Sequence, residues 1–168
     1  GLKKGTTTIT LGVNGSNIKA RIDITINSEF IIEEKTLVAY KGLGGDVVIP
    51  DDEGLLYIGS YAFCLYTIDQ NKPIDKTDYD ANKVIPTEGN TTITSITIPK
   101  GVTDIQKYAF YNCKALKKVK LSDSVKNIYE YAFAECSELI DINLDKASVL
   151  GKYCFNFVYN IEFCKTNA

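Results

Sequence analysis

Apolar residues recur with a fixed period along the second half of the chain. Phe155 follows Phe133 after 22 residues, which a one-residue deletion before Ala147 explains, and five other pairs of identical residues are 23 apart: Ile105/Ile128, Ala109/Ala132, Phe110/Phe133, Cys113/Cys136 and Leu116/Leu139. A period of this size predicts stacked units, each unable to bury its own apolar face. We therefore predict a solenoid of about four 23-residue rungs, a rung being one copy of the repeat.

Two kinds of local pattern alternate within each rung. Val119 and Leu121 are separated by one polar residue, which predicts a short strand that pairs in parallel with the next rung. Pro50 and Pro99 follow such strands and should end them, because proline has no N–H to donate. The Tyr-Ala-Phe-x-x-Cys-x-x-Leu stretch has helical spacing, so we expect a short helical return and a β-rich α/β fold. The residues expected to be buried are Val119, Leu121, Ile128, Phe133, Leu139, Ile142 and Leu144.

The first half of the chain carries an earlier copy of the repeat and two hairpins. Residues 46–66 match the repeat, and the insert 67–92 that follows is polar and without periodicity, so the stretch 70–92 is expected to be dispensable. Residues 6–26 predict a hairpin around an Asn14-Gly15 turn, and residues 30–40 predict a second one. The predicted division is a hairpin unit over 1–28 and a repeat domain over 29–168.

Composition and charge exclude several classes of function. The chain has no His, so no Ser-His-Asp triad, Cys-His pair or HExxH zinc site can form, and we expect no enzyme, cofactor or metal site. Its formal charge of −2 gives no reason to expect nucleic acid as a partner. No apolar run reaches the ~18 residues of a membrane span.

The repeat segment from Ile96 to Leu139 resembles the BspA-like leucine-rich repeat family in its Ile-Pro, Val-x-x-Ile and Tyr-Ala-Phe-x-x-Cys motifs. Residues 37–63 resemble the entry segment that often precedes such arrays. The resemblance implies a leucine-rich repeat solenoid from a bacterial cell-surface or secreted protein, with a role in adhesion to host proteins. Residues 1–26 resemble the last two strands of a bacterial immunoglobulin-like domain, and a dedicated N-terminal cap is the alternative.

Outward strand positions form the candidate binding face. Stacking should align Ser95, Lys118 and Asp141 in one column, and Thr97, Lys120 and Asn143 in the next. The alternative is that these residues only solvate the strands, with Lys118 and Asp141 as an exposed ion pair of about 0–1 kcal/mol.

Three further patterns each have a structural and a functional interpretation. The recurring tyrosines (Tyr61, Tyr108, Tyr131 and Tyr153) form either a sugar-stacking row or a packing row. Cys113 and Cys136 lie one rung apart, which allows a disulfide or a row of buried thiols. The stretch 78–82 imitates the start of a calcium loop but lacks its Gly and its final Glu, so we expect no calcium site.

The C-terminal end of the predicted array is apolar and needs a cover. We expect Phe157, Tyr159 and Phe163 to fold back across it, which would leave a monomer, and a partner covering this end is the alternative.

The sequence thus favours an extracellular binding module for a protein ligand, such as host extracellular matrix, or for neighbouring domains of the same protein. A structural spacer with no ligand of its own, or a carbohydrate-binding module, is the alternative.

Overall fold

The structure is a computed structural model that describes residues 5–12, 19–26, 29–51, 54–65, 88–159 and 161–163. Strands β1 (Gly5–Gly12) and β2 (Lys19–Ile26) form an antiparallel hairpin, as predicted. Gly12 pairs with Lys19, and the predicted Asn14-Gly15 turn lies outside the described residues.

A second hairpin leads into the repeats and also matches the prediction. Strands β3 (Phe30–Glu33) and β4 (Thr36–Tyr40) are antiparallel. The two residues between them, Glu34 and Lys35, have φ values of 46° and 71°. Positive φ at both central positions matches the right-handed twist of the flanking strands, which is why two residues suffice to connect them.

The repeats build two mostly parallel sheets of short strands. Sheet one has the order β14-β12-β10-β6-β4-β3. Strand β4 pairs in parallel with β6 (Tyr57–Ile58), and the parallel series continues with β10 (Asp104–Ile105), β12 (Asn127–Ile128) and β14 (Val149–Leu150). Sheet two has the order β15-β13-β11-β9-β5, made by β5 (Gly45–Val48), β9 (Ile93–Thr97), β11 (Lys118–Lys120), β13 (Asp141–Ile142) and β15 (Glu162–Phe163).

Alternation along the strands places the core between the two sheets. Leu121 is buried and Lys120 is exposed, which confirms the predicted register. Leu144 was predicted to be buried and is only partly buried, packed against the edge of the core. The other residues predicted to be buried are buried: Val119, Ile128, Phe133, Leu139 and Ile142.

Stacked aromatic rings run through the core from one rung to the next. Phe110 lies between Phe63 and Phe133, with ring centroids 4.6 and 4.8 Å apart. Phe155 continues the row at 5.6 Å from Phe133. These separations follow the ~4.8 Å spacing of paired strands, so the backbone pitch sets the ring stacking.

The predicted helical returns are wrong, because the described residues contain turns and no helix. Tyr108 and Tyr131 have φ values of 59° and 57°, and Asn112 and Glu135, four residues later, have 58° and 63°. A residue in the left-handed region reverses the local path of the chain, so a right-handed helix cannot propagate through it. The described part of the chain is therefore all β-strand and turn.

The earlier copy of the repeat and the ends of the insert are both ordered parts of the stack. Ile58 pairs with Ile105, and Phe63 stacks on Phe110, as the sequence predicts. Strands β7 (Cys64–Leu65) and β8 (Glu88–Gly89) pair antiparallel and hold the two ends of the insert together. The stretch between them, 66–87, lies outside the described residues.

Candidate binding face

The first predicted column forms in register on the outer side of sheet two. Ser95 pairs with Lys118, and Lys118 pairs with Asp141. Asp46 extends the column by one rung, because it pairs with Ser95 from the other side. Four polar side chains therefore follow one another at the pitch of the strands.

Short polar contacts link the members of this column in pairs. The Asp46 carboxylate accepts hydrogen bonds from Ser95 Oγ at 2.6 Å and from Thr94 Oγ1 at 3.2 Å, and these bonds lower the pKa of Asp46. Lys118 Nζ lies 2.6 Å from Asp141 Oδ2, with both side chains about half exposed. Such exposed pairs contribute about 0–1 kcal/mol, so they orient the face more than they stabilise it.

The second predicted column is shorter than expected. Val48, Thr97 and Lys120 align in register, with Val48 and Lys120 exposed. Asn143 lies just beyond the end of β13, and its amide bonds to the backbone of the preceding rung: Oδ1 accepts from Leu121 N at 2.7 Å, and Nδ2 donates to Leu121 O at 2.9 Å.

These two hydrogen bonds give the Asn143 side chain a structural role. In earlier rungs the equivalent bond joins two backbones, from Ile49 N to Thr97 O at 3.1 Å and from Ile98 N to Lys120 O at 2.8 Å. At Leu121 the Asn143 side chain replaces that backbone acceptor, because a primary amide offers the donor and acceptor of a peptide group. The sequence pattern could not distinguish this role from an outward-facing ligand.

The tyrosine row packs face to face. Tyr108 lies between Tyr61 and Tyr131 with centroids 5.0 Å away on each side and interplanar angles of 6° and 2°. Each ring face in the middle of the row is therefore covered by another tyrosine, which supports the packing interpretation. Tyr153, at the end of the row, is 49% exposed.

The cysteines that the structure describes are buried thiols, and two of them, Cys113 and Cys136, occupy equivalent positions of adjacent rungs. Cys64, Cys113, Cys136 and Cys154 are free and buried. Cys136 Sγ donates to Phe110 O at 3.1 Å, and Cys113 Sγ donates to Phe63 O at 3.5 Å, so these two thiols bond to the preceding rung. Cys64 Sγ donates instead to Tyr111 O on the following rung, at 3.4 Å. Burial raises the pKa of Cys113 to about 12, which keeps the thiol protonated at neutral pH.

Sequence reasoning missed a second polar cluster, on the outer side of sheet one. Asn127 Nδ2 and the Tyr129 hydroxyl both donate to Asp104 Oδ1, at 2.8 and 3.2 Å. The bond to Asp104 raises the pKa of Tyr129, because the carboxylate stabilises the protonated phenol. The sequence did contain a signal for this cluster. Asp104 and Asn127 are 23 residues apart, so they stack on adjacent strands.

Several exposed apolar residues lie at the C-terminal end of the array. Phe157 and Tyr159 are 51% and 73% exposed, so they do not fold back as a cap. Phe163 lies on β15, which pairs with β13 and adds a strand to sheet two. The predicted fold-back is therefore wrong for Phe157 and Tyr159, because the described chain continues the repeat path from Ile161 into β15.

The residues that the structure describes hold no cluster of His, Cys, Asp or Glu suited to a metal ion. Within the same residues, no helix is long and apolar enough to cross a bilayer. The calcium-like stretch 78–82 lies outside the described part of the chain.

Comparison with protein families identifies the repeats. Residues 88–167 match the family model described as "BspA type Leucine rich repeat region (6 copies)". This region is a BspA-type leucine-rich repeat. The match confirms the family suggested by the Tyr-Ala-Phe-x-x-Cys motif, and it covers the rungs that carry Lys118 and Lys120.

One solved structure supports the leucine-rich repeat fold, and two others are similar over smaller shares of their own chains. A leucine-rich repeat protein from Bacteroides capillosus ATCC 29799 matches with a TM-score of 0.55 at 22% identity, over 80% of this chain and 96% of its own. A Leucine Rich Repeat protein of T. pallidum gives a TM-score of 0.49 at 19% identity, over 72% of this chain and 58% of its own. A leucine rich cell surface protein from Faecalibacterium prausnitzii A2-165 gives 0.48 at 27% identity, over 77% of this chain and 34% of its own. The comparison with curated proteins found no match.

Proposed function

We propose that this chain is an extracellular or cell-surface module that binds a protein ligand through the outer side of sheet two. The observation that carries the proposal is the in-register column of Asp46, Ser95, Lys118 and Asp141 on a sheet whose inner side is buried. Paired strands fix the spacing of these side chains, so the face is organised before a ligand arrives. The leucine-rich repeat family is consistent with such an interaction module.

The charges on this face alternate along the array and favour selectivity. Asp46 is followed by Lys118 and Lys120, and Asp141 follows on the next rung. A ligand with the complementary order of charges is attracted, whereas one with the same order is repelled. We propose a protein of the host extracellular matrix as the ligand, because it would supply a long surface with repeating charges.

A structural spacer is the second candidate, and a specific observation favours it. Lys118 and Asp141 already form an ion pair with each other. Among the described positions of the face, Val48 is the one large apolar residue that is exposed. A face of small and charged residues lacks the apolar centre that dominates most interfaces. A carbohydrate module based on the tyrosine row is weaker, because the stacked rings cover one another.

A binding screen with matched variants tests the proposal. The purified chain is measured by surface plasmon resonance against immobilised collagen, fibronectin and laminin. Lys120→Glu should weaken binding about tenfold or more, because it replaces a positive charge of the face, which attracts the ligand, with a negative charge that repels it. Lys114→Glu, at an exposed position outside the face, is the control and should leave the affinity unchanged.

Each other outcome decides against a part of the proposal. Equal loss in both lysine variants would mean that net charge, and not this face, drives binding. A folded chain that binds none of the three proteins would favour the spacer.

A further inference from the structure

The two sheets begin differently at the N-terminal end of the array. In sheet one, the β3–β4 hairpin lies beyond the first repeat strand and covers it. Sheet two begins directly with β5 (Gly45–Val48), and no strand in the described part of the chain pairs with its outer edge. As far as the described residues show, the outer edge of β5 is therefore unpaired.

The backbone groups on this edge can be assigned from the bonds on the inner edge. Gly45 N donates to Thr92 O at 2.8 Å, and Ile49 N donates to Thr97 O at 3.1 Å, so these residues face β9. Successive residues of a strand point their backbone groups to opposite sides. The N–H and C=O groups of Asp46 and Val48 consequently point away from β9.

Little protects this edge from pairing. Natural edge strands usually carry lysines or prolines that block a second strand. Here Pro50 comes after the strand, and the one charged residue on it, Asp46, is bound to Ser95 and Thr94. Val48 is 66% exposed, and Leu43, just before the strand, is 97% exposed.

We infer that β5 is an interface for a second copy of this chain, paired antiparallel with its own β5. A twofold axis at Val47 places Asp46 of each copy opposite Val48 of the other. Both residues present outward N–H and C=O groups, so two pairs form and exchange four hydrogen bonds. The two Asp46 carboxylates are not directly opposed.

Neighbouring registers are worse, which selects this one. An axis at Asp46 would place two carboxylates opposite each other, and like charges in that position are destabilising. An axis at Val48 would place Asp46 opposite Pro50, which has no N–H. The expectation of a monomer relied on a closed C-terminal end, and the exposure of Phe157 and Tyr159 removes that argument.

Pairing through β5 would join the two five-stranded sheets into one and place both candidate faces on the same side. Two linked sites bind a repetitive ligand more tightly than one, commonly by about 10²–10⁴-fold. The inferred dimer therefore does not depend on the proposed function, but it would raise the affinity for the proposed ligand.

Sedimentation equilibrium with two proline variants tests the inference. Val48→Pro removes an outward N–H that β9 does not use, so the fold should remain, as checked by circular dichroism. Dimerisation should weaken about a hundredfold, because each copy loses one intermolecular donor. Leu150→Pro makes the matching change on the open edge of β14, since Val149 N and Gly151 N bond to the preceding rung; this variant should still dimerise.

Two results would overturn the inference. The first is a wild-type chain that stays monomeric up to about millimolar concentration. The second is a dimer that Leu150→Pro dissociates and Val48→Pro does not, which would place the interface at the C-terminal end.

Discussion

A tyrosine in the left-handed region begins each return of the solenoid. Tyr61, Tyr108, Tyr131 and Tyr153 have φ values of 59°, 59°, 57° and 60°. A non-glycine residue costs about 1–2 kcal/mol in this region. The cost is offset because the turn aims backbone donors along the axis: Phe110 N bonds to Ala132 O, and Asn112 N bonds to Ala134 O, both at 2.8 Å.

The first prediction concerns the phenylalanine row. Phe133 is fully buried between Phe110 and Phe155, so Phe133→Ala should lower the free energy of unfolding by about 3–5 kcal/mol. Phe155→Ala is the control and should cost less, because Phe155 is only partly buried. Urea denaturation measures both, and equal losses would contradict the role of the central rung.

The second prediction uses Tyr61, whose buried hydroxyl has no hydrogen-bond partner. Burial, with smaller contributions from Tyr108, Cys64 and Tyr111, raises the pKa of Tyr61 to about 12. The unfolded chain loses this proton near pH ~10, so stability should fall as the pH rises from about 10 towards 12. Tyr61→Phe should make that decline shallower and cost little at neutral pH.

Urea denaturation at neutral pH and at about pH 11 measures the effect of Tyr61→Phe. Tyr159→Phe is the control, since Tyr159 is 73% exposed. An alkaline decline that is the same in both variants would show that Tyr61 ionises as readily in the folded state as in the unfolded chain.

At the scale of elements, strand positions could be predicted from the sequence, and the returns could not. Alternation gives the side that a strand residue faces, so Leu121 and Lys120 were placed correctly. The spacing of Ala109, Phe110 and Cys113 is equally compatible with a helix and with two consecutive turns. Only the φ values of Tyr108 and Asn112 distinguish them. Tyrosine does not favour positive φ, and although asparagine does, the equivalent residue in the next rung is Glu135.

The same limit applies to the candidate face. Stacking of Ser95, Lys118 and Asp141 followed directly from the period, because parallel strands in register align equivalent residues. The task of Asn143 did not follow, because it depends on where β13 ends. Whether the face binds a ligand stays a prediction.

The third prediction concerns the insert and limits the dispensable stretch to residues 70–86. Replacing residues 70–86 with a short linker should shift the thermal midpoint by only a few degrees, because long surface loops add little closure entropy. Replacing 70–92 should lower it by about 5 °C or more. The longer replacement removes β8 and the buried Asn90, whose Oδ1 accepts from Thr92 N at 2.9 Å and Ile93 N at 3.0 Å.

Differential scanning calorimetry measures the thermal midpoints of the two replacement variants. Asn90→Ala in the full chain isolates the contribution of the amide from that of β8. Equal midpoints for both replacements would show that the stack does not depend on the last residues of the insert.

At the scale of the whole molecule, the rungs that the structure describes bond to their neighbours along the stack. Tyr129 N bonds to Ile105 O on the preceding rung, and Phe133 N bonds to Cys154 O on the following one. The stability of such an array is approximately a sum over rungs and the interfaces between them. Among the described strands, β3 and β14 are the outermost strands of sheet one, and β5 and β15 are those of sheet two.

Because the bonds between rungs run along the axis, tension between the two ends loads the rungs in series. Each interface then bears the whole force, and its few hydrogen bonds separate in succession, so the array should peel apart one rung at a time at low force. Each released rung frees 23 residues, or a contour length of about 75–80 Å. Optical tweezers should resolve these steps, whereas a single all-or-none extension would contradict loading in series. On a surface exposed to flow, such a chain would act as an extensible tether that limits the force on whatever it holds.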